Sequence, residues 1–374
     1  RGSLSSVSAP ALGSLAVTAA LQRAGVPNEQ VNEVIFGNVL SAGLGQNVAR
    51  QVAIGAGLSP AVGGTTINKV CGSGLKSVML AAQGIQCDDA EVVVAGGTEN
   101  MSRAPYLLPQ ARDGYRMGNG QLVDSMIRDG LWDVYNDIHM GMAGDQCAQK
   151  FEFTRQLQDD FAVASYQRAI QAQTDGAFTE EIMPVEVKQR KSTTIVEADE
   201  EPARFNEDKL RSLSPAFGKE GTVSAGNASS INDGAAAILV LSGSKVEELG
   251  VTPQARILGF STFSREPEWF TLAPVGAVAN LLKTLNWSAD DVDLYEVNEA
   301  FSVVPMAVMK DLNVPHDKMN VHGGAVALGH PIGASGARVL VTLLSALRQR
   351  GAKRGIASLC IGGGEGVALA VEMC

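Results

Sequence analysis

Cysteine, histidine and aromatic side chains are scarce in this chain of 374 residues. There are 5 cysteines (Cys71, Cys87, Cys147, Cys360 and Cys374) and 4 histidines (His139, His316, His322 and His330), and aromatics make up 5%. No CxxC pair occurs, which argues against a disulfide framework and a structural zinc site and for a reducing compartment. A GxxxxGK[ST] phosphate loop is missing, and no GxGxxG with the right acidic partner follows the first strand. Membrane-length runs are missing too. The two long uncharged stretches, 51–68 and 319–337, are studded with Gly and each carries a Pro, so neither reads as a transmembrane helix. Basic residues are in deficit, 30 against 40 acidic, for a net charge of −10. That excludes a general nucleic-acid surface and leaves room for a local basic pocket. The chain opens Arg1-Gly2-Ser3-Leu4 without Met, so it does not speak to a targeting peptide. A cytoplasmic location is expected, with an organellar one left open.

What is abundant is glycine, 41 residues, against a usual share of ~7%. With 45% hydrophobic and 19% charged residues, the chain is globular rather than disordered. Its length suits two or three domains, or one duplicated unit. Short runs rich in Val, Ile and Leu at 33–36, 91–95, 236–241, 293–297 and 355–359 read as strands buried on both faces. Between them, 74–86 and 338–350 read as helices apolar nearly all round, hence buried, and 157–172 reads as an amphipathic helix. Alternating strands and helices predict an α/β fold.

The chain also echoes itself. NEVIFGN at 32–38 and VDLYEVN at 292–298 are each followed, at nearly equal distance, by a Gly-rich turn opening an apolar helix: CGSGLK from Cys71 and GASGAR from Gly333. Each helix leads into a strand ending in glycines, VVVAGG and ASLCIGGG. Three matches in one order predict two copies of an α/β half. Between the halves, roughly 101–223, polar residues and charge clusters such as EADEE at 197–201 mark an insertion; the acidic cluster reads as a solvated loop, and such insertions often hold substrate.

Chemistry concentrates in the glycine-rich turns. Cys71 stands directly before a helix, whose positive end lowers a thiol's pKa; it reads either as a nucleophile or as plain packing. His330 lies in the apolar run GGAVALGHPIGASGA, either as the base a thiol nucleophile needs or as a satisfied structural histidine. Cys360 ends a strand before Gly362-Gly363-Gly364, whose amides can hold an oxyanion; it is either a second acid/base or a small hydrophobe. Asn298 is placed to hold a water or polarise a carbonyl. Glu299 is either a base or a buried structural acid. Cys87, Cys147 and Cys374 read as structural or surface residues.

Taken together, VCGSGLKSV at 70–78, HMG at 139–141, TVSAGNASSINDGAAA at 222–237, NEAF at 298–301, GGAVALGHPIGASGAR at 323–338 and CIGGGEG at 360–366 resemble the thiolase family, most closely its biosynthetic members, the acetyl-CoA C-acetyltransferases. The motifs span nearly the whole chain in family order. The resemblance implies a five-layered αβαβα sandwich of two βαβαβαββ halves, with residues 1–101 and 223–250 forming the first half, 102–222 an inserted loop domain that binds CoA, and 251–374 the second half. It implies that Cys71 takes the acyl group, that His330 activates it and lines an oxyanion hole completed by Asn298 through a water, and that Cys360 removes the α-proton of the second substrate. The amides of Cys71 and Gly362 would form a second oxyanion hole.

For CoA, the resemblance implies His139 and Met140 at the thioester end, Ala225 and Ser229 on the pantetheine, Phe217 and Phe301 as walls, and Arg204 near the adenosine. The implied reaction is a ping-pong Claisen condensation of two acetyl-CoA to acetoacetyl-CoA and CoA, reversible by thiolysis. It needs no metal, no cofactor beyond the CoA of the substrate, no nucleic acid and no membrane, and it is run by a homo-oligomer, dimer or tetramer. Two other readings stand beside it: a broad-chain 3-ketoacyl-CoA thiolase, and a thiolase-like protein that binds acyl-CoA without turnover. VCGSG in place of the QCSSG of degradative members favours short chains. Family members normally place a strand before Gly-Ser-Leu; true absence of that strand, taken as central, would leave an unpaired gap in the first sheet and destabilise the fold.

Overall fold

The computed structural model describes residues 2–188 and 192–374; Arg1, Gln189, Arg190 and Lys191 lie outside the described residues. In chain order the main elements are α1 (Ala9–Ala24), β1 (Glu33–Gly37), α2 (Val48–Gly55), β2 (Gly63–Ile67), α3 (Ser73–Gln86), β3 (Val92–Asn100), α4 (Met140–Phe151), α5 (Arg155–Thr174), β4 (Asp233–Leu241), β5 (Ala255–Ser264), α6 (Ala273–Leu285), β6 (Leu294–Val297), α7 (Val303–Leu312), α8 (Ile332–Arg350), β7 (Arg354–Ile361) and β8 (Glu365–Met373). Every strand and helix expected from the apolar runs is present, most of them longer by a few residues at one or both ends.

Two four-stranded sheets form the frame. The first runs β4-β3-β1-β2 and the second β5-β8-β7-β6. Each contains a parallel pair, β1 with β3 and β6 with β7, and an antiparallel strand follows, β4 on β3 and β8 on β7. Alternation along the strands assigns their faces. In β3, Val92 and Val94 face a cluster with Val17, Leu21 and Val52 of α1 and α2, while Val93 and Ala95 face Leu75, Val78 and Met79 of α3. In β7, Leu359 and Ile361 join that same inner cluster with Leu340 and Leu343 of α8, while Ile356 and Cys360 face Leu281 of α6 and Val304 of α7. The layers are therefore α1/α2, sheet, α3/α8, sheet, α6/α7. Helices α3 and α8 are apolar all round because each is covered on both sides.

The expectation of an unpaired gap in the first sheet is corrected. β3 and β1 pair directly. In the second half, β5 covers the outer edge of β8 through nine residue pairs; β4, the counterpart of β8, has no strand on its outer edge among the described residues. The first sheet thus has no gap between its strands, and that outer edge lacks a neighbour among the described residues. A cleft of about 1320 Å³ runs along it, lined by β4, α1, α8 and residues 196–201. Between β3 and β4 the chain makes its long excursion, which carries α4, α5 and three two-stranded ribbons. Among the described residues, no helix is long and apolar enough to cross a membrane.

Candidate active site

Cys71 sits on a sharp turn at the mouth of α3. Val70, just before it, has a φ of +46°, a left-handed conformation that is costly for a β-branched residue, of order 1–3 kcal/mol. Three hydrogen bonds hold it there. Val70 N donates to Asn68 Oδ1 at 2.9 Å, Ser73 Oγ donates to Val70 O at 2.6 Å, and Lys69 N donates to Ser73 Oγ at 2.8 Å. An ion pair of Lys69 with Glu365 joins this turn to the start of β8. Cys71 is largely enclosed, and burial pushes its thiol up to about 12; the amides of Gly362 and of Cys71 itself work against that rise. The expectation that the helix end leaves a resting thiolate is corrected: desolvation outweighs the amides.

Gly362 therefore places the end of β7 against Cys71. Cys360, two residues earlier, is fully buried, and its thiol is raised by burial first and by the nearby Cys71 second. Gly364, with φ +90°, lies where a Cβ would stand 2.2 Å from the Arg265 carbonyl, so only glycine permits this turn. Asn298 closes β6 beside it, its N donating to Ser358 O at 3.0 Å. The Asn298 side chain is fully buried, and neither its Oδ1 nor its Nδ2 has a hydrogen-bond partner among the described residues. A buried amide orphaned at both ends is rare outside functional sites.

His330 is buried, and desolvation, then the Arg338 charge, holds its imidazole down to about 3. Its Nδ1 lies 2.6 Å from Ser335 Oγ, and its N donates to Asn232 Oδ1 at 2.9 Å. At rest, the thiols and the imidazole are all neutral. The loop before His330 is anchored by Glu299, whose carboxylate accepts from Asn320 Nδ2 at 2.8 Å, Ser165 Oγ at 2.7 Å and Val326 N at 3.1 Å. This settles Glu299 as a structural acid tying α5 to that loop.

One wall comes from α4. The Met140 methyl would meet a Cβ on Gly362 at 2.7 Å. His139 caps α4, accepting at Nδ1 from Gly141 N at 3.1 Å, and stacks on Phe217 with ring centroids 4.5 Å apart. Phe217 in turn meets Phe301 edge-on at 6.3 Å. Ser229 donates from N and Oγ to Ala300 O, beside Phe301, and Ala225 is exposed in the same turn segment. Arg204 pairs with Glu200 at 3.4 Å and lines the cleft beside β4.

Comparison with known proteins agrees with this geometry. Residues 1–244 match the thiolase N-terminal domain and residues 251–373 the thiolase C-terminal domain. The chain belongs to the thiolase family. It is 54% identical to an acetyl-CoA acetyltransferase of Cupriavidus necator, over 99% of this chain and 95% of that one. It is 53% identical to acetyl-CoA acetyltransferase 2 of Arabidopsis thaliana, over 100% of this chain and 93% of that one. The crystal structure of Acat5 thiolase from Ascaris suum in complex with coenzyme A superposes with a TM-score of 0.95, at 42% identity, covering 100% of this chain and 96% of that one.

In this thiolase, residue-level reading passed over several parts of the site. Val70, Ser73, Asn232 and Ser335 lie inside or beside the motifs, but their value rests on backbone twist and hydrogen bonds. The one available signal was position: Ser335 stands one helical turn after Pro331. Cys147 is buried in the same cluster as Cys360, and Cys87 and Cys374 are exposed.

Proposed function

We propose that this thiolase is an acetyl-CoA C-acetyltransferase that works through an acetyl-Cys71 intermediate. The observation that carries this is the meeting of Cys71, from the first half, with Gly362 and Cys360 of the second, at a Gly362 amide aimed at the sulfur. A sulfur flanked by amides is where an acyl oxygen is held as it becomes an oxyanion. In the first step the Cys71 sulfur attacks the thioester carbon as its proton passes to His330. The C–S bond to CoA breaks, and the leaving thiolate takes its proton from Cys360. In the second step the Cys360 thiolate removes the α-proton of a second acetyl-CoA. The enolate, its oxygen held by His330 and by a water on Asn298, attacks the acetyl carbon, and Cys71 leaves and recovers its proton from His330. A thioester exchange followed by a carbon–carbon bond-forming condensation replaces one termolecular encounter.

The narrow wall of Met140 over Gly362, with Phe217 behind it, supports short acyl groups over the broad-chain alternative. CoA would follow the same face, past His139, Ser229 and Phe301. Arg204, paired with Glu200 at 3.4 Å, remains the residue assigned to the adenosine. A homo-oligomer, dimer or tetramer, belongs to the same reading; the outer edge of β2 has no strand on it among the described residues.

Incubation with radiolabelled acetyl-CoA should label the wild type at Cys71 and leave C71A unlabelled, with turnover lost by at least ~10³-fold. An unlabelled wild type would convert the reading to non-catalytic acyl-CoA binding. Faster thiolysis of a long 3-ketoacyl-CoA than of acetoacetyl-CoA would convert it to the broad-chain enzyme.

A further inference from the structure

Pro331 caps helix α8. One turn into the helix, Ser335 is fully buried, with its Oγ 2.6 Å from His330 Nδ1 and 2.9 Å from the Pro331 carbonyl oxygen. A hydroxyl carries one proton and two lone pairs, so this chain of contacts has two arrangements. In one, Ser335 donates to Pro331 O and accepts from Nδ1–H, which leaves Nε2 a bare lone pair. In the other, Ser335 donates to Nδ1 and the ring proton sits on Nε2. Nε2 is buried and has no partner among the described residues. An orphaned buried N–H is costlier and rarer than an unused acceptor. The second arrangement creates such a donor, and the first does not. The backbone of His330 is pinned independently by Asn232, whose Oδ1 also accepts from Ser230 Oγ at 2.9 Å, so the ring has little freedom to choose another partner.

We propose that Ser335 is a positioning residue that holds His330 in its Nδ1–H tautomer, with the Nε2 lone pair kept ready to receive the Cys71 proton. This rests on His330 being the base of the acyl-transfer step. In that step the Cys71 S–H bond breaks and an Nε2–H bond forms, while the sulfur bonds to the acyl carbon and the carbon–sulfur bond to CoA breaks. The other ring proton stays on Nδ1 throughout, donated to Ser335 Oγ. Without the hydroxyl, Nδ1 loses its acceptor, and the ring is free to carry its proton on Nε2, where no base is left for the thiol.

The test compares S335A and S335T with the wild type in single-turnover acetylation, in steady-state turnover and in 15N spectra of histidine-labelled protein, with the His330 signals assigned by their loss in H330Q. In the wild type, His330 should show a protonated Nδ1 and an unprotonated Nε2. S335A should shift that population and slow acetylation and kcat by roughly 10–100-fold, with KM near the wild-type value; S335T, which keeps the hydroxyl, should recover most of the rate. A wild type that carries its proton on Nε2 overturns the proposal, and that spectrum decides even where S335A does not fold. S335A with wild-type rates and spectrum overturns it as well. A wild type that never acetylates at Cys71 instead overturns the functional reading beneath it.

Discussion

Burial disfavours the charged form of His330. Burial and Arg338 lower its pKa from 6.5 to about 3, so the folded protein resists a proton that the unfolded chain accepts. Its contribution to stability is present above pH 6.5 and is lost as pH falls from there through about 3. H330N cannot titrate. In urea denaturation from pH 7 down to pH 4, the stability advantage of wild type over H330N should shrink steadily; an advantage independent of pH would mean the folded ring is protonated normally. Cys71 shows the limit of reading residues singly. Its place before a helix was plain in VCGSG, and a lowered pKa followed from that place alone. The enclosure that reverses the shift comes from β7 and its Gly362, nearly three hundred residues away along the chain.

At the level of elements, the site exists because two helix N-termini come unusually close. A Cβ on Gly336 of α8 would stand 2.1 Å from Leu75 N of α3, and one on Gly74 would stand 2.6 Å from Ala337 N. The glycines that echo each other in CGSG and GASG are thus partners in one contact, which accounts for their repetition. Glu99, at the end of β3, fastens the same junction. Its carboxylate accepts from Val39 N, Leu40 N, Asn38 Nδ2 and Gly333 N, and burial raises it to about 7 despite those bonds. Four donors converge on its two oxygens, two on each. E99Q turns one oxygen into an NH₂ facing two donors, so it should destabilise the fold by about 2–4 kcal/mol, read as a lowered denaturation midpoint with unchanged slope. Glu99 lies between Thr98 and Asn100 at the polar end of its strand, and nothing in periodicity marks it; only the approach of α8 supplies the fourth donor.

Across the whole molecule, the two halves share one interior. A single buried cluster joins Ile35, Leu75, Met79 and Val93 of the first half to Leu340, Leu343, Leu359 and Leu369 of the second. Each such side chain loses about 1.5–3 kcal/mol when its burial is lost, and a native protein's margin is only about 5–15 kcal/mol. Residues 251–374 expressed alone should therefore show no cooperative thermal transition and no near-UV circular dichroism, although they carry a complete sheet with its outer helices. A sharp melt of that fragment would show that the central layer is not a shared core.

By itself the sequence determined which segments become strands and buried helices and that the unit is duplicated, and it singled out the Cys, His and Asn proposed to carry chemistry. Those are properties of local periodicity and of residue type at glycine-rich turns. The tertiary structure decided what surrounds those residues when they meet: burial that disfavours the charged thiols and imidazole, the Ser335 hydroxyl set against His330, and an acid, Glu299, bonded between α5 and the loop before His330. Charge state, tautomer and strand order depend on desolvation and on donors brought from remote parts of the chain, and these come into being only when the layers close.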